Sequence, residues 1–322
     1  MPERLKRVPI HKRACRVGNI TAIHAYRANR ELLTQRLLEG GYRLHTTPHF
    51  LLCVRPAAPS IIVVHWFAPT AVDANIGHYI MRELRPLGLP SDQHDYSDLF
   101  AAIVCALAPQ DAPRAMRLYA TNTLRRYRDL LNSNIPHPLP DSPIGIFSTL
   151  YRRVLAHLSS GERLLDAGCS FGFLPLLATE YCPTLTQAVG FDIEAGSFSI
   201  MHTLADEQQL AQVRFVQGNL LAARDITALN RFDTVTLLHV LEHFTEDDMY
   251  RLLSHLLPVV ERRLLIAVPY EVQVPEAAYG HLQLFDRAKL LALGEWCLQQ
   301  WQGAGGLRYE DCADGLLVVE RY

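Results

Sequence analysis

Apolar residues follow two rhythms along this chain, and the change between them divides it. In the first stretch, residues 42–54 and 60–67 are rich in β-branched and aromatic side chains and read as two strands, joined by the proline-bearing turn 55–59. Helical spacing then takes over in residues 75–84, 95–107 and 113–131. Prolines 136, 138, 140 and 143 follow, in a stretch that cannot continue a helix and marks a domain boundary. Beyond it the pattern alternates: helix 147–158, strand 163–167, helix 173–181, strand 187–193, helix 196–209 and strand 213–217. A short helix, strand 232–239, helix 246–260 and strand 262–268 continue the series. Such alternation predicts an α/β fold, a mostly parallel sheet with helices on both faces. Residues 297–302 and 316–322, around the glycines near 303–306, read as an antiparallel strand pair. The expected organisation is a smaller α+β or mostly helical domain over residues 1–140, for substrate recognition or oligomerisation, followed by an α/β domain over 141–322.

Composition narrows the classes. At 322 residues, 49% apolar and 20% charged, the chain can bury a core without a metal or disulfide staple. Its net charge of −2 gives it no overall pull toward nucleic acid or anionic membranes. A local exception is the basic stretch Arg4, Lys6, Arg7, Lys12, Arg13 and Arg16, read as a solvated terminus. Seven scattered cysteines with no C-x-x-C spacing argue against a disulfide framework and for a reducing compartment, so a cytoplasmic location is expected. The longest apolar run, residues 60–68, is too short for a membrane span.

Ligands of such sheets bind beyond the carboxyl ends of the strands, so the residues that follow each apolar run carry the chemistry. The first strand runs into Asp166-Ala167-Gly168-Cys169-Ser170-Phe171-Gly172, whose glycines permit a tight turn and let a ligand lie against backbone. The second ends at Asp192, a carboxylate able to accept both hydroxyls of a ribose. The third ends at Gly218-Asn219, whose amide suits the rim of an adenine, with Ile193 and Leu220 placed to cover its faces. Each has a plainer alternative: Asp192 as a helix cap, Asn219 as a turn former, the aliphatics as core. A nicotinamide site fits less well, because G-x-G-x-x-G spacing is absent and Asp166 would repel a pyrophosphate.

Together Leu165-Asp166-Ala167-Gly168, Phe191-Asp192, Gly218-Asn219, Phe232-Asp233 and Val268-Pro269 resemble the ordered motifs of class I methyltransferases, over roughly residues 145–322. The resemblance implies a Rossmann-like, seven-stranded sheet and S-adenosylmethionine as cofactor. It places the methionine moiety against Gly168 to Gly172, the ribose on Asp192 and the adenine near Asn219. Ser170 stands where the family often has glycine, and Asn219 where it often has aspartate.

The fourth strand leads into His239-Val240-Leu241-Glu242-His243, before a capped helix start at Thr245 and Asp248. If residues 239–243 coil helically, His239, Glu242 and His243 share one face, and His281 offers a fourth group. Imidazoles with a carboxylate suit Mg, Mn, Fe or Zn. Glu242-His243 with the later His281 also resembles the metal-using O-methyltransferases of quinone biosynthesis and of small-RNA 3′-ends, which carry Glu-x-x-Glu-His; His239 replaces their first glutamate.

The expected activity is therefore methyl transfer to an oxygen of a small molecule with adjacent oxygens, such as a sugar diol or natural product, with metal assistance. Without metal, His243 or His281 would act as base, beside Glu242. Alternatives are methylation of an RNA ribose, N- or C-methylation with a histidine base, and cofactor binding without catalysis. The expected partner is a small-molecule acceptor, with no membrane, nucleic acid disfavoured and a homo-oligomer as an option. Trp66, Phe67, His65, Tyr79 and Tyr96 are candidates to line a pocket in the first domain or to fill its core.

Overall fold

The computed structural model describes residues 13–55, 60–133, 137–271, 273–302, 305–312 and 315–322. The basic positions 4, 6, 7 and 12 lie outside them, as do residues 134–136 of the proline-rich stretch. The chain divides into two units: residues 1–126, 142–144 and 277–279, and residues 127–141, 145–276 and 280–322. Among the described residues, no helix is long and apolar enough to cross a membrane.

The first unit is α+β. Strands β1 (Ala14–Val17) and β2 (Ile20–His24), helix α1 (Arg30–Glu39), and strands β3 (Arg43–Thr46), β4 (Phe50–Val54) and β5 (Ile61–His65) build a five-stranded sheet in the order β1-β2-β5-β4-β3. Three of these elements, β1, β2 and α1, have no counterpart in the sequence reading. The stretch 42–54, read as one strand, is broken by a turn: Thr47 N donates to Phe50 O and Phe50 N donates to Thr47 Oγ1, closing a hairpin between β3 and β4. The stretch 75–84 is α2 (Ile76–Tyr79) passing into a π-helical turn. Helix α3 (Gln93–Cys105) is capped by Asp92, whose side chain accepts from Asp95 N, and α4 (Ala112–Leu131) follows, its residues from 127 on belonging to the second unit. His65 and Phe67 are buried, and Tyr96 is packed edge-on against Tyr279, so these three are core. A cavity of about 490 Å³ in this unit is lined by Thr46, Thr47, His49, Tyr79, Arg82 and Glu83, and of the five candidate aromatics only Tyr79 reaches it.

The second unit alternates as the apolar pattern predicts. Its elements are α5 (Pro143–His157), β6 (Arg163–Ala167), α6 (Phe173–Tyr181), β7 (Gln187–Asp192), α7 (Phe198–Glu207), β8 (Val213–Gln217), α8 (Ala223–Thr227), β9 (Phe232–Leu238), α9 (Glu246–Leu256), β10 (Val260–Ala267), α10 (Arg287–Gln300), β11 (Gly305–Glu310) and β12 (Leu316–Arg321). The seven strands lie in the order β11-β12-β10-β9-β6-β7-β8, with β12 antiparallel to both neighbours. Residues 297–302 are not a strand. Leu290, Leu293, Gly294 and Cys297 are buried at helical spacing, so that segment ends α10, and β12 pairs with β11 instead.

Buried runs explain the central strands: β6, β9 and β10 are largely buried on both faces, as a sheet covered on both sides requires. At their amino ends, buried Arg263 and Thr234 donate to Glu162, at 3.1 and 3.0 Å, fixing the three strands in register. Their carboxyl ends are thereby left to loops. Strand order reverses between β6 and β9, the switch point at which ligands of such sheets bind.

Candidate active site

One wall of the switch point is made by the loop after β6. Gly168 and Gly172 take φ of +77° and +84°, a region that costs an L-residue about 1–2 kcal/mol. Space is as tight as the backbone: a Cβ on Gly172 would stand 2.2 Å from the Phe215 ring, and one on Gly168 2.5 Å from Val240 Cγ2. Ser170, between them, also adopts positive φ, +50°, without being glycine. Its amide compensates by donating to Asp192 Oδ2 at 2.7 Å, while Glu194 N donates to Asp192 Oδ1 at 2.9 Å.

Asp192 thus ties the loop after β6 to the loop after β7, one amide on each carboxylate oxygen. Asp166, at the end of β6, is fully buried, and burial lifts its pKa to about 7 against the opposing hydrogen bond from Thr236 Oγ1, at 2.7 Å. Beyond β8, Asn219 folds on itself: its side-chain oxygen accepts from Leu221 N at 2.8 Å, and its own N–H donates to Asp225 Oδ2. Ile193 is 57% exposed at the rim, whereas Leu220, 7% exposed, belongs to the core beneath.

The other wall follows β9. Residues 239–243 do not coil as one helical face. His239 has φ +55° and only Leu241–His243 form a turn, a 3-10 turn. That backbone sets His239 beside the cluster, its Nδ1 3.8 Å from Glu242 Oε1 and its ring against Phe147; burial pushes its pKa down to about 3. The ligand atoms that converge within 4.8 Å of one another, among the described residues, are those of Glu242, His243 and His281.

Their alignment comes from hydrogen bonds at the far side of each ring. His243 Nδ1 faces Gly280 O at 3.3 Å and His281 Nδ1 faces Glu271 Oε1 at 2.8 Å. Both partners accept, so each Nδ1 donates, and each Nε2 lies 4.0 Å from Glu242 Oε1. Glu242 is 1% exposed, deep behind the two rings. Burial, then the neighbouring His281, lowers the pKa of His243, which favours its neutral form.

The strap carrying His281 is pinned to the 241–244 turn. Leu282 N donates to Glu242 O at 2.7 Å, and Gln283 Nε2 donates to Leu241 O and Phe244 O at 3.1 and 2.9 Å. Lys289 Nζ holds Gln283 from behind. Glu271, Gln283 and Thr236 are missed by the sequence reading. Glu271 had a readable signal, since it lies just past the Val268-Pro269 exit of β10, where loop residues carry chemistry.

Residues 164–262 match the family described as a methyltransferase domain. No curated protein sequence matches the chain. An O-methyltransferase family protein from Burkholderia thailandensis aligns in structure over 90% of this chain and 82% of its own, at 13% identity and a TM-score of 0.50. A magnesium protoporphyrin IX methyltransferase from Synechocystis PCC 6803 with bound SAH aligns over 62% of this chain and 94% of its own, at 17% identity and TM-score 0.46. An O-methyltransferase family 2 protein from Planctomyces limnophilus in complex with apigenin aligns over 69% of each chain, at 15% identity and TM-score 0.41. That match falls on a sheet whose order reverses beside a glycine loop, so the chain carries a methyltransferase domain of the S-adenosylmethionine-dependent kind.

Proposed function

We propose that this enzyme methylates an oxygen of a small molecule bearing two adjacent oxygens, a sugar diol, catechol or α-keto acid, with the help of a divalent metal. The observation that carries the reading is the convergence of Glu242, His243 and His281 within 4.8 Å. Two imidazoles and one carboxylate on one side of an ion leave the opposite positions for substrate, a donor set suited to Fe, Mn or Zn and tolerable for Mg. The fit extends outward, because each imidazole presents Nε2 while its Nδ1–H is held by an acceptor, as metal-ligating histidines require. His239, fourth in the sequence reading, would border the set and pack beside the acceptor.

On the donor side, Asp192 has lone pairs left after its two amide bonds and would take the ribose diol. Asn219, its oxygen already engaged by Leu221 N, would donate its amide protons to a ring nitrogen of adenine, and exposed Ile193 would cover the ring. Leu220 would support that contact from the core. The loop from Asp166 through Gly168 and Ser170 to Gly172 would receive the methionine moiety, its glycines leaving room no side chain could share. The cofactor supplies an electrophilic methyl group. A bound divalent ion would lower the pKa of an acceptor hydroxyl, which as a free alcohol is nearly as weak an acid as water. The residues would orient the acceptor oxygen in line with the methyl and exclude water; without an ion, neutral His243 would instead accept the acceptor's proton at Nε2. The first unit, which the sequence reading ends at residue 140, would contribute acceptor recognition.

The test uses purified full-length protein, stripped with chelator and assayed with labelled S-adenosylmethionine against diols, catechols and α-keto acids. Methyl transfer that collapses on chelation and returns with Mn, Fe, Zn or Mg supports the reading. Transfer indifferent to chelation, with no metal by elemental analysis, would sink the metal while leaving oxygen methylation by a histidine base. Salt-dependent transfer to short RNA, with none to small acceptors, would replace the small molecule.

A further inference from the structure

Glu271 is a carboxylate that touches neither the glycine loop nor the point where Glu242, His243 and His281 meet. It nevertheless occupies the outer face of His281. Its Oε1 lies 2.8 Å from His281 Nδ1, and its Oε2 accepts from Glu276 N at 3.1 Å. His281 N in turn donates to Glu276 O at 3.3 Å, so both the backbone and the ring of His281 are referred to the same short stretch of chain. The His281 side chain is 7% exposed and Glu271 22% exposed, so the contact is sheltered from competing water. An exposed carboxylate beside an imidazole contributes little, but one held at this depth fixes the ring.

We infer that Glu271 is a positioning residue: it locks His281 in the Nδ1–H tautomer and aims Nε2 at Glu242. This rests on the metal reading for its affinity consequence and not for its tautomer consequence. The two histidines are held differently, one by a backbone oxygen and one by a charged carboxylate. The stronger, charge-assisted bond falls on His281, which comes from a loop, while His243 is already fixed by the turn it sits in. A second negative charge close behind the cluster also balances a divalent ion: with neutral imidazoles, Glu242 and Glu271 together match a charge of two. A protein that needed only to pack His281 would have no use for a charge there.

The experiment compares the full-length wild type, Glu271→Gln and Glu271→Ala, all with S-adenosylhomocysteine bound, by Mn(II) titration and by ¹⁵N NMR of labelled histidines, with His281→Ala to assign the signal. Binding of S-adenosylhomocysteine within about threefold of wild type certifies the fold. The wild type is expected to show Nδ1 protonated and Nε2 bare at His281. The alanine variant should show a mixture of tautomers and bind Mn(II) about 10–100-fold more weakly. The glutamine variant, whose amide oxygen can still accept from Nδ1–H, should keep the tautomer and fall between. If the wild type binds Mn(II) and the alanine variant binds it equally with an unchanged tautomer, Glu271 does not position His281. If the wild type binds no Mn(II), Fe(II), Zn(II) or Mg(II), the metal reading fails by itself. A tautomer lost only in the alanine variant then still supports Glu271 as the residue that orients His281 as a base.

Discussion

The two walls of the cleft are built from different materials. The wall after β6 and β7 is mostly backbone: two glycines and a serine in left-handed conformation, two amides on Asp192, and no room for a side chain. The wall after β9 and β10 is mostly side chain: two imidazoles and two carboxylates, aligned by a strap that hydrogen-bonds to a single 3-10 turn. A backbone wall tolerates almost no added atom and serves one ligand well. A side-chain wall can be re-equipped residue by residue, so the first wall suits the proposed donor site and the second the proposed acceptor site. Substitutions can break that contrast, and the largest effect is expected on the backbone side. Gly172→Ala combines a positive φ with a Cβ 2.2 Å from the Phe215 ring, and should destabilise the second unit by about 2–5 kcal/mol and abolish binding of S-adenosylhomocysteine. Calorimetry and thermal melts check it; an alanine variant with native affinity would mean the wall is softer than described.

Asp166 gives the next effect, through pH. Its carboxyl titrates near 7 in the fold and near 3.8 when unfolded, so between those values the folded state holds a proton that the unfolded state has released. Stability conferred by the neutral acid is therefore complete below about pH 4 and is lost as pH rises to about 7, by up to about 4 kcal/mol. Asp166→Asn keeps an acceptor for Thr236 and removes the titration. Relative to wild type, its melting temperature should climb from pH 4 to 7 and level off above. A constant difference across that range would show that Asp166 is ionised throughout.

Much of the donor wall is legible in the sequence because backbone requirements leave a durable trace: glycines at positive φ, and an acid at the end of the next strand. The acceptor wall is only half legible. Glu242, His243 and His281 stand out by residue type, but the inclusion of His239 assumed helical spacing, and a single residue at φ +55° breaks it. Glu271 could not be paired with His281 by any local pattern, since the contact depends on where two loop segments return. The same limit applies to the fold. The five strands from 163 to 268 recur between helices at regular spacing, whereas β1 and β2 are four and five residues long and α1 buries only Leu33 and Leu37. Residues 297–302 mislead because Cys297 and Trp301 suggest a strand when read without the buried positions 290, 293 and 294 before them.

The contrast between walls predicts a split in ligand binding. Asp192→Ala removes the acceptor for Ser170 N and Glu194 N as well as the proposed ribose contact, and should weaken S-adenosylhomocysteine about 30-fold, roughly 2 kcal/mol. His281→Ala should change that affinity by less than about threefold while removing methyl transfer. Equal losses of affinity in the two variants, measured by calorimetry, would mean that the sides of the cleft are assigned the wrong way round.

Ser170 offers the smallest effect and the sharpest division between backbone and side chain. As an L-residue at φ +50° it carries about 1–2 kcal/mol of strain, partly offset in a glycine variant by about 0.5–1 kcal/mol of added freedom in the unfolded chain. Ser170→Gly should therefore raise the melting temperature by about 1–3 °C. The amide that donates to Asp192 is unchanged by the substitution, so affinity for S-adenosylhomocysteine should stay within about twofold. A tenfold loss of affinity alongside the gain in stability would show the hydroxyl itself contacting the donor, and the first wall would then share the character of the second.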